Sequence, residues 1–244
     1  MSRAAPVVLY EDGSLLVVEK PAGVHTAPLR PGETGTLIDL VLAAFPDVAR
    51  APGAKPVEPG LVHRLDRETS GCIVVARTAA AFESLRAQFT GGGARKEYTA
   101  ACAAVEGADV DGPLSIESRF APLGPGRRMV RVVPQAAPGA RVPRGATRDA
   151  YATVAEVVAH APGCLLLRAA ISRGFRHQVR AHLAFLGFPI LGDTLYGKPV
   201  PAGFHARMYL HASRVLFAHP VTGAALEISS PLPPEFSALF PGSR

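Results

Sequence analysis

The sequence predicts a fold of the α+β class, in which a mixed, largely antiparallel sheet is flanked by helices. Three observations support this class. Apolar runs at residues 7–10 and 15–19 flank an Asp12-Gly13 pair, which is a strong signal of a β-hairpin. Residues 72–76 form a continuous, mostly β-branched run that is typical of a buried strand. Segments with helical periodicity and polar capping residues lie before and after that strand.

In the first half of the chain, two helices are expected around the buried strand. Thr36 and Asp39 have the spacing of a capping box, which predicts a helix to about residue 45. The residues of its predicted apolar face are Leu37, Leu40, Val41 and Ala44. Prolines make residues 46–60 an irregular connection. Thr78 caps a second helix to about residue 89, with Phe82, Leu85 and Phe89 facing inward and a glycine run at its end.

The second half predicts further strands and one helix. Strands are expected at about residues 98–105, 151–159 and 164–171. Residues 106–150 are interrupted by prolines and predict a long hairpin or a loop insertion. A loop after residue 171 leads into a helix that ends near Gly187.

Composition indicates a folded globular protein. The chain has 244 residues, of which 48% are hydrophobic, so it can bury a substantial core. No apolar run approaches the ~18 residues that a membrane-spanning helix needs, and acidic residues come too early for a secretory signal. The cysteines (Cys72, Cys102 and Cys164) form no CxxC pair, which argues against a zinc site or a disulfide framework. We therefore expect a cytoplasmic protein that does not associate with membranes.

Positive charge is concentrated in one segment. The net charge is +6, and residues 119–148 contain seven arginines and no acidic residue. The arginines are Arg119, Arg127, Arg128, Arg131, Arg141, Arg144 and Arg148. A solvated loop is one explanation, but clustering of this kind favours an anion-binding surface and permits a nucleic-acid partner.

Residues 61–71 form a short segment that is rich in ionisable side chains. They read Leu-Val-His-Arg-Leu-Asp-Arg-Glu-Thr-Ser-Gly, with five ionisable side chains just before the buried run at 72–76. Asp66 is thus expected in a loop at the mouth of a strand, where a rigid scaffold can present a carboxylate to a cleft. Either Arg64 or Arg67, if it faced Asp66, would keep that carboxylate ionised. The alternative is that Asp66 caps a turn and pairs with these arginines.

The pattern His-Arg-Leu-Asp-Arg-x-Thr-Ser-Gly at residues 63–71 resembles the catalytic signature of the ribosomal-large-subunit (RluA-type) pseudouridine synthases. Residues 10–23, Tyr-Glu-Asp-x-x-Leu-Leu-Val-Val-x-Lys-Pro-Ala-Gly, resemble the opening of the same family. The resemblance implies that Asp66 is the catalytic residue. Because it begins near residue 8, we expect no separate N-terminal RNA-binding domain.

Two later segments continue the resemblance. Lys96-Glu97-Tyr98 is similar to the family's Lys-x-Tyr, and Tyr98 lies 32 residues after Asp66, as in the family. The tyrosine of relatives stacks on the target base, although a strand tyrosine that fills the core is the alternative. Residues 177–180, His-Gln-Val-Arg, resemble the family's His-Gln-Ile-Arg. Arg180 therefore corresponds to the arginine that pairs with the catalytic aspartate.

The loop before that helix departs from the family. It reads Arg-Gly-Phe-Arg at residues 173–176, where the family usually has Thr-Gly-Arg-Thr. Arginines at a helix start oppose the helix macrodipole, so this site needs an anionic partner, which we expect to be Asp66 or RNA. The predicted substrate-binding residues are Arg64, Arg173, Arg176 and Gln178.

The resemblance covers about residues 8–235 and implies one catalytic domain over residues 1–244, with a cleft across its sheet and an Arg-rich insertion at about 119–148. The implied reaction isomerises a uridine of ribosomal or transfer RNA to pseudouridine, with neither cofactor nor metal, and we expect a monomer. The alternatives are a non-catalytic RNA-binding or RNA-folding protein, and a hydrolase that pairs Asp66 with a second carboxylate such as Glu68.

Overall fold

The computed structural model describes residues 5–30, 32–103, 112–134, 142–202 and 204–241. The strands are β1 (Val7–Glu11), β2 (Leu15–Lys20), β3 (Ser70–Ala76), β4 (Arg95–Cys102), β5 (Leu114–Leu123), β6 (Met129–Pro134), β7 (Tyr151–Ala161), β8 (Cys164–Ile171), β9 (Leu210–Ala218) and β10 (Ala225–Ser229). The α-helices are α1 (Leu37–Ala44), α2 (Ala79–Gly91), α3 (Gln178–Phe185) and α4 (Pro234–Leu239). This α+β composition agrees with the predicted class.

The chain divides into two compact units, each made from two stretches of sequence. The first unit comprises Met1–Glu97 and His211–Pro231, and the second comprises Tyr98–Leu210 and Leu232–Arg244. The chain thus passes from one unit to the other three times: inside β4, at the start of β9 and after Pro231. The expectation of a single catalytic domain stays a prediction.

The sheet of the first unit is mixed, as expected. Its strands follow the order β1-β2-β3-β9, and β10 pairs with β9. β3 pairs antiparallel with β2 but parallel with β9. Every residue of β3 is buried. The predicted strand is therefore confirmed, and it begins two residues earlier than the apolar run.

Local sequence signals set the elements around β3. The hairpin of β1 and β2 forms at Asp12, whose carboxylate accepts hydrogen bonds from the N–H groups of Ser14 and Leu15. Thr36 and Asp39 form the predicted capping box at the start of α1. The predicted apolar face of α1 is partly wrong. Its buried residues are Leu37, Ile38 and Val41. Leu40 is only half-buried, and Ala44, in the last turn, is exposed.

Helix α2 covers one face of this sheet. Thr78 accepts a hydrogen bond from the N–H of Ala81 at the helix start, and Gly92 ends the helix with a φ of 90°. The three predicted inward residues are buried in a core with β3 and β9; they are Phe82, Leu85 and Phe89. The prediction of this helix is confirmed.

The second unit contains the strand order β4-β8-β7-β5-β6. Strands β5 and β6 pair antiparallel, so the first part of the Arg-rich segment is a hairpin. Residues 135–141, including Arg141, lie outside the described part of the chain, as does the predicted end of the strand after residue 103. Phe120 of β5 packs against α3 in one core cluster, and Tyr209 packs on α4 in another. No described helix is long and apolar enough to cross a membrane.

Steric crowding explains why a glycine ends the Thr-Ser-Gly sequence. Gly71 has a φ of +115°, and a Cβ at this position would lie 2.2 Å from the carbonyl oxygen of Ala212 in β9. The parallel pairing of β3 with β9 includes this residue. Any side chain here would therefore push the two strands apart.

We expect Gly71→Ala to lower the free energy of unfolding by about 3 kcal/mol or more, because unfavourable φ and steric overlap add. Urea denaturation measures this. Gly13→Ala is the matched control, since its Cβ would meet no atom within 4 Å, and we expect it to change stability by less than about 1 kcal/mol. Equal effects of the two substitutions would contradict the steric explanation.

Candidate active site

Asp66 is half-buried in a turn that leads into β3. Its carbonyl oxygen accepts a hydrogen bond from the N–H of Thr69 at 3.1 Å. The residue before it, Leu65, is fixed by the buried hydroxyl of Thr26. That hydroxyl donates to the Leu65 carbonyl at 2.9 Å and accepts from the Leu65 N–H at 3.2 Å. One side chain thus satisfies both backbone groups next to Asp66.

The backbone on the other side of Asp66 is fixed by Lys20. This lysine is fully buried, and its Nζ donates to the Arg67 carbonyl at 3.0 Å. It also donates to the carbonyls of Pro21 at 2.7 Å and Val24 at 2.8 Å. The N–H of Gly23 donates to the same Arg67 carbonyl at 2.8 Å. Buried bonds therefore hold the backbone on both sides of Asp66, which preorganises its position.

The guanidinium groups of Arg64 and Arg67, the two arginines that flank Asp66, contact other residues. Arg64 donates to Glu58 at 2.6 Å, and Arg67 donates to the Gly23 carbonyl at 3.0 Å and lies 3.3 Å from Glu68. Neither arginine forms an ion pair with Asp66 among the contacts of the described chain. The condition under which Arg64 or Arg67 would keep Asp66 ionised is therefore not met by these contacts. Arg64 also has an acidic partner, Glu58, that the motif did not reveal.

Arg180 lies in the first turn of α3, and its partner is Asp193. Nε and Nη2 donate to the two carboxylate oxygens at 2.7 and 2.8 Å, and the side chains are 7% and 0% exposed. The N–H groups of Leu195 and Tyr196 donate to the same carboxylate. Burial alone would raise the pKa of Asp193, but the hydrogen bond and charge of Arg180 outweigh it and lower that pKa.

Sequence reasoning did not identify the role of Asp193. The expected anionic partner of the arginines at this helix start was Asp66 or RNA, whereas the structure supplies a carboxylate within the same unit. The pairing of Arg180 with Asp66 is a separate statement and stays a prediction. The sequence does signal Asp193, because it follows the buried residues Ile190 and Leu191, where an acidic side chain is unusual, and because residues 190–197 also resemble the family.

The other predicted substrate contacts of this unit have internal partners. Arg173 forms an ion pair with Asp149 at 2.8 Å. Arg176 donates to the carbonyl of Arg127, which belongs to the turn between β5 and β6. Gln178 is buried, and its amide donates to Ala152 and accepts from Phe175. These contacts position the loop before α3, and direct contact with a substrate stays a prediction for all three predicted residues.

Tyr98 lies in β4 and is 7% exposed. That burial fits a core position as well as a stacking surface, so its role at a base stays a prediction. Lys96 in the same strand is also buried. Within the described chain, no group of three or more His, Cys, Asp or Glu residues is placed to hold a metal ion.

Comparisons with known proteins agree with the motifs. The profile of the family described as RNA pseudouridylate synthase matches residues 14–185. A ribosomal large subunit pseudouridine synthase D from Xanthomonas campestris is 34% identical, over 97% of this chain and 69% of that protein. An uncharacterized RNA pseudouridine synthase, YlyB, from Bacillus subtilis is 32% identical, over 97% of this chain and 72% of that protein.

A solved structure supports the fold. Human RNA Pseudouridylate Synthase Domain Containing 4 has a TM-score of 0.69 at 22% identity, over 93% of this chain and 88% of that chain. The fold and motifs define a catalytic domain that acts on RNA. The chain belongs to the RNA pseudouridylate synthase family, and it is an isomerase that converts uridine in RNA to pseudouridine.

Thr26 and Lys20 form a clamp on the backbone of Leu65 and Arg67, on either side of Asp66. We expect the loss of part of this clamp to lower stability. Thr26→Val removes the hydroxyl that satisfies both backbone groups of Leu65, and we expect a loss of about 2 kcal/mol because buried unsatisfied groups are costly. We also expect the turnover rate to fall, since Asp66 loses an anchor. Thr34→Val is the control, because Thr34 is exposed. Denaturation and turnover assays of both variants test this, and an unchanged Thr26→Val variant would contradict it.

The buried pair at α3 predicts a dependence of stability on pH. Arg180 lowers the folded-state pKa of Asp193 below its unfolded value, so the stabilisation is present above an unfolded pKa of about 4 and is lost as pH falls through the folded value. Asp193→Asn should cost about 3 kcal/mol or more at neutral pH, because Arg180 stays buried without its partner. Its stability should also fall less on acidification than that of the wild type.

The matched control for this substitution is Asp149→Asn. Asp149 pairs with Arg173 at the surface and its side chain is 59% exposed, so we expect a loss below about 1 kcal/mol. Denaturation at several pH values measures both variants. Parallel pH profiles of the wild type and Asp193→Asn would contradict the prediction.

Proposed function

We propose that Asp66, Tyr98 and Arg180 form the catalytic site of this RNA pseudouridine synthase, with the two units acting as one catalytic domain. The observation that carries the proposal is the clamp around Asp66. The half-buried carboxylate is presented by a turn whose backbone is bonded on both sides to buried Thr26 and Lys20. Such preorganisation of a reacting group is expected of a catalytic residue.

The reaction requires that uracil leave C1′ of the ribose, rotate, and rejoin through C5. Asp66 would act as the nucleophile or as a base directed at C1′. Tyr98 would stack on the base and assist removal of the proton from C5. The reaction is an isomerisation without net redox change, so we propose that it needs neither cofactor nor metal.

Arg180 would orient Asp66 and keep it ionised. The guanidinium has five N–H donors in a planar arrangement. The pair with Asp193 engages Nε and Nη2, which fixes the plane of the guanidinium. A guanidinium fixed in this way can receive a second carboxylate without further loss of side-chain entropy. The role of Asp193 would then be to position Arg180.

The substrate is proposed to be ribosomal or transfer RNA. Relatives named ribosomal large subunit pseudouridine synthase D make large-subunit ribosomal RNA the first candidate. Arg64, Arg173, Arg176 and Gln178 would contribute to substrate binding, and the Arg-rich segment would add phosphate contacts that weaken with salt. We propose that the protein works in the cytoplasm as a monomer.

Asp66→Asn should abolish pseudouridine formation and leave RNA binding unchanged. The measurement is carbodiimide labelling of RNA from cells with and without the protein, followed by mapping of reverse-transcriptase stops. A stop that disappears without the protein should return with the wild type and not with Asp66→Asn.

Glu68→Gln is the matched control, because Glu68 is a surface carboxylate two residues away with 49% exposure. We expect this variant to restore the stop. Restoration of the stop by Asp66→Asn would overturn the catalytic assignment. Loss of RNA binding in that variant would instead point to a folding defect, which circular dichroism detects.

A further inference from the structure

Two cations of the first unit, Lys96 and Arg86, have no acidic partner among the residues that the structure describes. Lys96 of β4 is 6% exposed, and its ammonium lies 5.7 Å from the centre of the Phe89 ring. Arg86 of α2 donates one hydrogen bond, to the Val62 carbonyl at 2.8 Å. Among the described residues, no carboxylate lies within ion-pair distance of either side chain, and Lys96 donates no hydrogen bond.

This arrangement is electrostatically costly. Burial and, to a smaller extent, the nearby charge of Arg86 together lower the pKa of Lys96 to about 8. The ring of His63 stacks on the same Phe89 ring, with 4.7 Å between the ring centroids. Burial, followed by the charges of Lys96 and Arg86, holds the pKa of His63 well below its usual range. A buried cation beside a second cation destabilises the folded protein unless an anion compensates.

His63 adds a hydrogen-bond donor to the cluster. Its Nε2 accepts from the N–H of Val74 at 3.0 Å, so the neutral ring carries its proton on Nδ1. Nδ1 is buried and has no hydrogen-bond partner in the described chain. The cluster of Lys96, Arg86 and His63 therefore contains two positive charges and one unsatisfied N–H group, without a single acceptor that carries negative charge.

One member of the cluster, His63, lies three residues before Asp66 in the chain. Val62 and His63 begin the segment that contains Asp66, and three residues of chain span at most about 11 Å. An anion bound by the cluster would consequently lie near the proposed reacting residue. In an RNA substrate the anion at that distance from the target nucleotide is a backbone phosphate.

We propose that Lys96 and Arg86, with His63 beside them, bind a backbone phosphate of the RNA substrate. The inference rests on the proposed function, because it takes the catalytic site to be at Asp66. The phosphate would compensate both cations, and Arg86 would be positioned for it by its bond to the Val62 carbonyl. Binding energy would thus be gained where the free protein holds uncompensated charge.

The test is the salt dependence of RNA binding, measured by anisotropy with a fluorescein-labelled oligouridylate. For single strands the slope of log K against log salt changes by about 0.7 for each phosphate contact. Lys96→Gln and Arg86→Gln should each weaken binding several-fold and reduce the slope by up to about that amount. Arg95→Gln is the matched control, because Arg95 is the neighbouring residue and pairs with Glu97 at 2.9 Å.

Stability distinguishes a binding role from a structural one. If the buried charge of Lys96 destabilises the RNA-free protein, Lys96→Met should raise the melting temperature. A purely structural role on Phe89 requires the opposite, a lower melting temperature with an unchanged salt slope, and that result would overturn the proposal. Arg86→Gln gives an independent test, since this half-buried helix residue can be changed without opening a core cavity.

The pH dependence gives a second readout. The charged and titratable groups facing Lys96 are Arg86 from α2 and His63 from the loop, and only Lys96 changes charge near pH 8. RNA affinity of the wild type should fall as pH rises through about 8, whereas that of Lys96→Gln should stay flat. Parallel profiles would contradict the proposal.

Failure of the site and failure of the proposed function give different results. If the wild type converts uridines but both glutamine variants keep its salt slope, the phosphate site is overturned and the catalytic proposal stands. If the wild type converts none, the catalytic proposal fails, and reduced slopes still support the site. Inorganic phosphate that stabilises the wild type, but not Lys96→Gln, without competing with the oligouridylate would assign the cluster to free phosphate and overturn the RNA assignment.

Discussion

The structure around Asp66 depends on a buried lysine that bonds to backbone carbonyls. Lys20 ends β2 at a fully buried position, and an ammonium there is tolerated only because oxygen acceptors surround it. Those carbonyls come from the turn after β2 and from Arg67, so one side chain joins two segments that are far apart in sequence. Thr26 adds a second junction at Leu65. Buried side chains that bond to neutral backbone groups therefore fix the turn on both sides of Asp66.

The distance along the chain between interacting residues explains which parts of the fold could be predicted. The hairpin at Asp12, the capping box at Thr36 and the cap of α2 at Thr78 depend on residues at most three positions apart, and all three are confirmed. The buried strand β3 was also evident, because its apolar run has no polar interruption. Strands β9 and β10 and helix α4 were not predicted. Their pairing partners and packing surfaces lie far away in the sequence.

The partners of charged residues were harder to predict than the elements. Asp66 has an arginine on each side in the motif, yet Arg64 bonds to Glu58 and Arg67 lies beside Glu68. Sequence neighbours in a loop can point in different directions, so proximity in the chain does not define an ion pair. The arginine-rich start of α3 correctly indicated that an anion was needed. It could not identify Asp193, because the turn that brings Asp193 to Arg180 depends on tertiary structure.

The same reasoning separates two kinds of cation in this protein. Arg64, Arg173 and Arg180 each have a carboxylate within 2.8 Å, so the fold itself compensates their charge. Lys96 and Arg86 have none in the described chain, although Lys96 is more buried than the arginines at the surface. Selection for stability alone favours an apolar side chain at such a position. A buried cation that the protein does not neutralise is consistent with an anion that arrives with the substrate, and RNA carries one at every nucleotide.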